Sequence, residues 1–304
     1  MSSLRVAVLG GTGFVGHSLC LHLAEAGHTV RVLSRRREQH RDLLVLPTVQ
    51  VVDADVHNPA VLKREFQGMD AVVNLVGILN KSRRESFMRV HAELPGKVVQ
   101  ACREARVRRL LHMCALHAAF DAPSEYLRSK AQGEKTVLDA DGPELHVTSF
   151  RPSVIFGPRD SFTNRFADLL KRVPWVFPLA CPQARLQPVY VEDVVSAYVF
   201  ALDRHETFGQ RYNLCGPQVL TLREIVERIA ASLGLKRRIL PLGDRLSRLQ
   251  AGVLQFAPGQ PFTPDNYRSL QIASTCEGPF PALFGIKPSR LDEILPLYLK
   301  PGSL

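Results

Sequence analysis

The sequence predicts an α/β fold built on a doubly wound parallel sheet, and three observations predict it. Short apolar, β-rich runs alternate with amphipathic stretches through the first half of the chain. The first run leads straight into a glycine-rich turn. The strand candidates are apolar along their length, as strands covered by helices on both faces must be. Taken in order, residues 4–9 read as a strand, 13–26 as a helix and 29–34 as the second strand. Residues 49–53 and 71–75 read as further strands, with a helical stretch near 59–67 between them. A long helix follows near 85–105, then a strand at 109–114, a helix over about 124–138 and a strand at 145–150. From Arg151 the pattern loosens: prolines at 152, 158, 174, 178, 182 and 188 punctuate it. Helices are expected there at 192–203 and 222–233, and residues 187–191 are expected to return a strand to the main sheet. The division expected is residues 1–155 as the sheet domain and 156–304 as a smaller C-terminal substrate or cap lobe that completes a cleft, with no linker between them.

Composition narrows the class. With 304 residues, 45% hydrophobic and 22% charged, the chain is an ordinary globular one, which excludes disordered and low-complexity scaffolds. No run approaches the roughly 18 apolar residues of a membrane span. The N-terminal Met1-Ser2-Ser3-Leu4-Arg5 lacks the layout of a signal peptide, so a cytoplasmic protein is expected. Six scattered cysteines without a Cys-x-x-Cys argue against zinc and against disulfides, and ten histidines show no ligand pair, so no metal is expected. The net charge of +10 is spread over both halves, with short clusters at Arg35-Arg36-Arg37, at Arg106 with Arg108-Arg109, and at Lys236-Arg237-Arg238. Such fields suit anionic ligands, nucleic acid or acidic lipid surfaces. No nucleic-acid reading motif accompanies them, so no specific nucleic-acid partner is expected.

The most informative stretch is Val6-Ala7-Val8-Leu9-Gly10-Gly11-Thr12-Gly13-Phe14-Val15-Gly16. A strand runs into glycines at 10, 13 and 16 and a helix opens after them. Glycine allows the tight turn, the approach of backbone to a pyrophosphate and the close packing of helix on strand. The helix N-terminus then offers free N–H groups and a positive dipole end to the phosphates. That is the context of a dinucleotide-binding Rossmann unit, with Gly10, Thr12, Gly13, Phe14, Val15 and Gly16 as its loop. An NAD site would put a carboxylate at the end of the second strand. Ser34-Arg35-Arg36 stands there instead, and a guanidinium fork suits a 2′-phosphate, so NADP(H) is favoured over NAD(H). Tyr126 and Lys130 are four residues apart on a predicted helix and share one face. A nearby ammonium favours the phenolate, so the pair suits proton exchange with a substrate hydroxyl or carbonyl during hydride transfer.

The Gly-x-x-Gly-x-x-Gly spacing resembles the extended and atypical branches of the short-chain dehydrogenase/reductase superfamily. That resemblance implies further site residues: Asp55 near the adenine, Val76 and Gly77 over the adenosine, Lys130 on the ribose, and Pro152 and Val154 in the loop lining the nicotinamide. It also implies a serine or threonine after the fifth strand, where this chain has Cys114, and an asparagine on the preceding helix, where it has His91. Cys114 thus takes the third catalytic position beside Tyr126 and Lys130. Residues 74–79, 124–134, 151–162, 187–194 and 295–299 together resemble the atypical branch that holds the NADPH-binding accessory subunit of mitochondrial complex I and its stand-alone bacterial relatives. Two readings follow from it. One is an NADPH-dependent oxidoreductase acting on a small-molecule substrate. The other is a non-catalytic protein whose NADPH is a structural or sensing ligand, in peripheral contact with the inner face of a membrane or with a respiratory complex. A nucleotide-sugar epimerase or dehydratase is a third, for which the last lobe offers only scattered arginines such as Arg185 and Arg211.

Overall fold

The computed structural model describes residues 3–35, 41–82 and 85–300. The elements run β1 (Arg5–Leu9), α1 (Phe14–Glu25), β2 (Thr29–Ser34), α2 (Arg41–Leu44), β3 (Val49–Asp53), α3 (Pro59–Phe66), β4 (Ala71–Asn74), a π-helical turn (Met88–Glu93), α4 (Leu94–Glu104), β5 (Arg109–Met113), α5 (Glu125–Leu138) and β6 (His146–Pro152). They continue β7 (Ile155–Phe156), α6 (Thr163–Arg172), β8 (Val176–Leu179), β9 (Arg185–Leu186), β10 (Val189–Tyr190), α7 (Val191–Ala201), β11 (Gln210–Leu214), β12 (Leu220–Thr221) and α8 (Leu222–Ser232). The last are β13 (Arg238–Pro241), α9 (Asp244–Leu254), α10 (Pro264–Ser269) and α11 (Leu291–Leu299).

Seven strands form the main parallel sheet in the order β11-β6-β5-β4-β1-β2-β3. The chain winds outward from β1 in one direction through β2 and β3, then returns to the other side of β1 with β4. The ends of β1 and β4 therefore sit side by side, Leu9 opposite Asn74, at the point where the winding reverses. The strands are buried because helices cover both faces. Leu9, Val72 and Leu110 join Leu62 and Phe66 of α3 and Val98 and Cys102 of α4 in one core.

The chain divides into two units. The first holds Met1–Phe120, Arg128–Arg151 and Val194–Tyr212; the second holds Asp121–Leu127, Pro152–Asp193 and Asn213–Leu304. The second has its own core, where α6, α8 and α11 meet through Leu170, Ile225, Ile229 and Leu295. Its strands pair only in twos, β7 with β10, β9 with β12 and β8 with β13.

Three expectations are corrected. The strand returning to the main sheet is β11, not residues 187–191, of which Val189–Tyr190 pair with β7. The 85–105 helix is α4 preceded by a π-helical turn. The cysteines are not all free, because Cys215 and Cys276 form a disulfide across 61 residues. Short-range spacing could not show that pair: Cys215 follows β11, Cys276 follows α10, and both converge on Gln187. The Gln187 Nε2 donates to the Gly216 carbonyl at 2.7 Å, and its Oε1 accepts the Cys276 N–H at 2.9 Å.

Arg109 ties the end of the sheet together. It is buried at the start of β5, and its guanidinium donates to the carbonyls of His146 (3.2 Å) and Ala201 (2.7 Å) and to the hydroxyls of Thr148 (2.7 Å) and Thr207 (2.8 Å). It also stacks on the Phe208 ring, 4.7 Å from its centroid. Desolvation pulls its pKa down to about 10, with Asp141 opposing. Arg109→Leu leaves two hydroxyls and two carbonyls without this donor and is expected to cost about 3 kcal/mol or more. The readout is a lower urea midpoint at unchanged m-value. Arg109→Lys should recover only part of the loss, because an ammonium cannot fork.

Candidate functional site

The loop between β1 and α1 is shaped by close backbone approaches. Gly10 has φ +78°, and a Cβ there would lie 3.1 Å from the Leu75 carbonyl carbon and the Val76 nitrogen. At Gly16 a Cβ would sit 2.2 Å from the Gly10 oxygen, so α1 rests directly on the turn. Gly13 differs. It caps α1 in an extended conformation, is exposed, and its N–H closes the turn onto the Gly10 carbonyl at 3.0 Å. Among the described residues no side chain caps α1, and its first turn carries no acid. This end of the helix is therefore left open to an anion, with Thr12, Phe14 and Val15 half-buried around it.

Ser34 is buried at the end of β2, and its carbonyl accepts the Ala54 N–H at 2.9 Å. Arg35 is exposed and ion-paired with Glu85. The acid facing this arginine thus comes from 50 residues further on, where a reading of the strand end alone does not look. Arg36 lies outside the described residues. Asp55 is exposed, and its Oδ1 accepts the His57 N–H at 2.9 Å. At the end of β4, the buried Asn74 holds Val76 in place by accepting its N–H on Oδ1 at 3.2 Å. The Nδ2 of Asn74 faces the Nδ1 of His112 on β5 at 3.3 Å.

The next part of the site follows from one proline. Pro95 has no N–H for the carbonyl four residues back, His91, and its ring crowds that carbonyl. The helix widens there into the π-helical turn, with the Leu94 N–H reaching five residues back to Arg89. His91 is thereby set against α5, where a Cβ on Gly133 would lie 1.8 Å from the His91 oxygen. The imidazole bridges two elements: its Nε2 accepts the Ile78 N–H at 3.0 Å, so the proton is on Nδ1 and is donated to Ser129 Oγ at 3.0 Å. Ser129 precedes Lys130, whose ammonium is buried and donates to the Met113 carbonyl at 3.0 Å. A Cβ on Gly77 would lie 3.3 Å from that Nζ, so the loop after β4 packs directly against the ammonium and a side chain at 77 would crowd it. Desolvation lowers the Lys130 pKa, with Cys114 and Glu134 opposing.

Cys114 is buried, with its Sγ turned onto the Lys130 carbonyl at 3.6 Å. Burial, with Glu134 adding to it, pushes the thiol up to about 12, so it is protonated and no nucleophile. Behind it, the buried Glu134 carboxylate accepts from Ser149 Oγ at 2.7 Å and pairs with the Arg151 guanidinium. Tyr126 is half-buried on the first turn of α5. Its N–H and that of Glu125 are taken by the Asp265 carboxylate at 3.0 and 2.8 Å, which caps the helix start. Pro152 and Val154 belong to the second unit, where the Val154 carbonyl accepts the Val189 N–H at 3.0 Å. That unit also holds a cleft of about 400 Å³ lined by Cys181, Arg185, Asp244, Ser247 and Gln271.

The structure brings Gly10 to Val76, and Lys130 to Gly77 and His91. Sequence reasoning missed Ser129, Ser149, His112 and Gly133. The only local sign of them was the helical spacing of Ser129 to Gly133 and Lys130 to Glu134. The open α1 terminus, the exposed Gly13 and the Lys130 ammonium beside Gly77 fit a dinucleotide, with pyrophosphate at the first and a ribose at the last.

The buried histidines give a pH dependence. Desolvation, with Lys130 adding to it, drives His91 down to about 2 and His112 down to about 3 from an ordinary 6.5. Below pH 6.5 the unfolded chain takes up these protons and the folded chain does not, so stability falls as pH falls. Each histidine contributes a slope of about 1.4 kcal/mol per pH unit between pH 6.5 and its folded value. The urea midpoint is expected to drop steeply from pH 6.5 to 4, and His91→Asn should remove one histidine's share of that slope.

Comparison with known proteins agrees with this geometry. Residues 6–215 match the model of the NAD dependent epimerase/dehydratase family. The chain is 30% identical over 308 residues to the mouse (Mus musculus) mitochondrial NADH dehydrogenase (ubiquinone) 1 alpha subcomplex subunit 9, covering 96% of this chain and 78% of that protein. It is 33% identical over 243 residues to a ceramide reductase of Caulobacter vibrioides, covering 79% of this chain and 74% of the relative. Among solved structures, the epimerase Mth375 of Methanothermobacter thermautotrophicus superposes with a TM-score of 0.76 at 17% identity, over 98% of this chain and 91% of that one, and shares the fold. The cofactor is accordingly of the nicotinamide dinucleotide class. Because the family match takes in more than half of the chain, and the likeness to the complex I subunit runs almost its full length, the protein belongs to the NAD dependent epimerase/dehydratase family, in its atypical short-chain dehydrogenase/reductase branch.

Proposed function

We propose that the protein binds NADP(H) and uses it to reduce a carbonyl compound. One observation carries this reading: one helical turn from Tyr126, the Lys130 ammonium is anchored on the Met113 carbonyl and lies against Gly77 of the loop after β4. A bound reduced nicotinamide supplies the hydride. The Tyr126 phenol gives its proton to the substrate oxygen, and the Lys130 ammonium favours the phenolate left behind and holds the ribose hydroxyls. Desolvation disfavours the charged lysine, and an anionic phenolate beside it restores that charge.

The NADP preference rests on Arg35. Its guanidinium has one carboxylate partner, Glu85, which a doubly charged 2′-phosphate out-competes. The name of the bacterial relative, a ceramide reductase, favours a carbonyl on an apolar substrate. With this reading goes a location in the cytoplasm or peripherally on the inner face of a membrane.

A second reading keeps the dinucleotide as a structural or sensing ligand, in association with a respiratory complex. Cys114 favours it: the position that would offer a hydroxyl to the substrate oxygen holds a buried thiol engaged with the Lys130 carbonyl. The mouse relative is named as a subunit of a mitochondrial NADH dehydrogenase (ubiquinone).

A fluorescence titration of nucleotide-stripped protein with NADPH and NADH separates these readings. Tighter binding of NADPH is expected, and Arg35→Ala should weaken it about tenfold while leaving NADH unchanged. Tyr126→Phe should lower turnover about 100-fold or more with the NADPH affinity retained. Slow NADPH exchange with no carbonyl reduction by the unaltered protein would select the second reading.

A further inference from the structure

Helix α9 packs the wrong way round for a surface helix. Its buried residues are the small Ser247 and Ala251, one turn apart. Its large apolar residues face solvent: Leu246 is 54% exposed, Leu249 63%, Val253 61%, and Phe256, just beyond the helix end, 85%. At 100° per residue these four fall within an arc of about 80°, opposite the buried side. An ordinary surface helix turns such a stripe inward.

A second group of exposed apolar residues lies on the strand pair before α9, which the helix touches where the Gln250 Nε2 donates to the Pro178 carbonyl at 3.5 Å. β13 runs into α9 through Leu242 and Gly243, and it pairs with β8 in the register Arg238 to Val176 and Leu240 to Pro178. Val176 and Leu240 are exposed, and Trp175, whose carbonyl accepts the Arg238 N–H at 2.9 Å, is 79% exposed. This is the only tryptophan in the chain.

Around this apolar surface the charge is of one sign. Residues 168–180 and 235–257 carry seven lysines and arginines against Asp168 and Asp244. Arg248 pairs with Asp244, and Arg237 donates to the Leu170 carbonyl. Lys171, Arg172, Lys236, Arg238 and Arg245 have no carboxylate in ion-pair contact among the described residues, and all five are exposed. An exposed apolar stripe, an exposed tryptophan on the adjoining strand pair and unneutralised bases on the same segments are the pattern of an interfacial helix on anionic lipid.

We infer that α9, with Trp175 and the β8/β13 edge, is a surface that docks on an anionic phospholipid bilayer. The stripe enters the headgroup layer and the bases meet the lipid phosphates. Asp244 and Ser247 of α9 also line the cleft of the second unit, so docking sets that cleft beside the lipid. The inference is independent of whether the dinucleotide turns over.

The test uses the full chain and vesicles of phosphatidylcholine alone or mixed in equal parts with phosphatidylglycerol. Flotation with the mixed vesicles, weakened by salt, is expected together with a blue shift of the Trp175 emission. Leu249→Ser with Phe256→Ser should lower the partition coefficient about tenfold or more. Lys236→Ala with Arg245→Ala should lower it about fivefold per charge removed, on the mixed vesicles only. NADPH binding, measured on the same variants, checks that they fold. The inference is overturned if the mixed vesicles neither float the protein nor shift its emission, or if the serine variant binds them as the unaltered chain does. It is overturned too if the unaltered chain is a dimer that the serine variant splits, with no lipid binding by either, which would give the stripe to a second copy.

Discussion

The contact on which the site depends is between the His91 carbonyl and the α carbon of Gly133. Pro95 displaces the carbonyl, the π-helical turn carries it outward, and only a residue without a Cβ can receive it on α5. From this approach follow the bridge from Ile78 through His91 to Ser129 and the depth at which Lys130 sits. A regular helix over residues 88–104 would turn His91 away and let α5 stand off from the end of β4. A proline in one helix and a glycine in another, 38 residues later, thus form a single device.

The ionised groups of the first unit are unusually deep, and each is handled differently. Glu134 has a guanidinium and a hydroxyl, so its charge is matched. Among the described residues, Arg109 has no carboxylate in hydrogen-bond contact and is held by neutral oxygens and an aromatic face. Among the described residues, Lys130 has one hydrogen-bonded carbonyl, that of Met113, for its three donors. A matched charge is inert, whereas a buried charge with spare donors is ready for a ligand's oxygens, and in this region that describes Lys130. The thiol of Cys114 between Lys130 and Glu134 stays neutral because burial outweighs the nearby cations.

What the sequence made legible was what is local. The strand–glycine–helix entry and the alternation of strands and helices depend on neighbours a few residues apart, so they could be read without the fold. The Tyr126–Lys130 spacing was legible for the same reason. Features joining distant segments were not. Glu85 meeting Arg35, β11 closing the sheet and Cys215 meeting Cys276 have no short-range signature. The second unit was harder still, since its strands are two to four residues long and its prolines mask any period. The stripe on α9 was present in the sequence as spacing, but a spacing of 3, 4 and 3 looks the same whether it faces a core or water.

The Cys215–Cys276 bond closes a covalent ring that contains α8, β13, α9 and α10. By loop entropy alone, such a ring disfavours the unfolded chain by about 4 kcal/mol. Its topology matters as much as that energy. Local opening that begins at α9 can spread along the chain in both directions, but both ends of the ring are held at one point beside Gln187. Whatever meets α9 therefore acts on a segment whose two ends cannot separate, and a displacement there is felt at Cys215, directly after the edge strand β11.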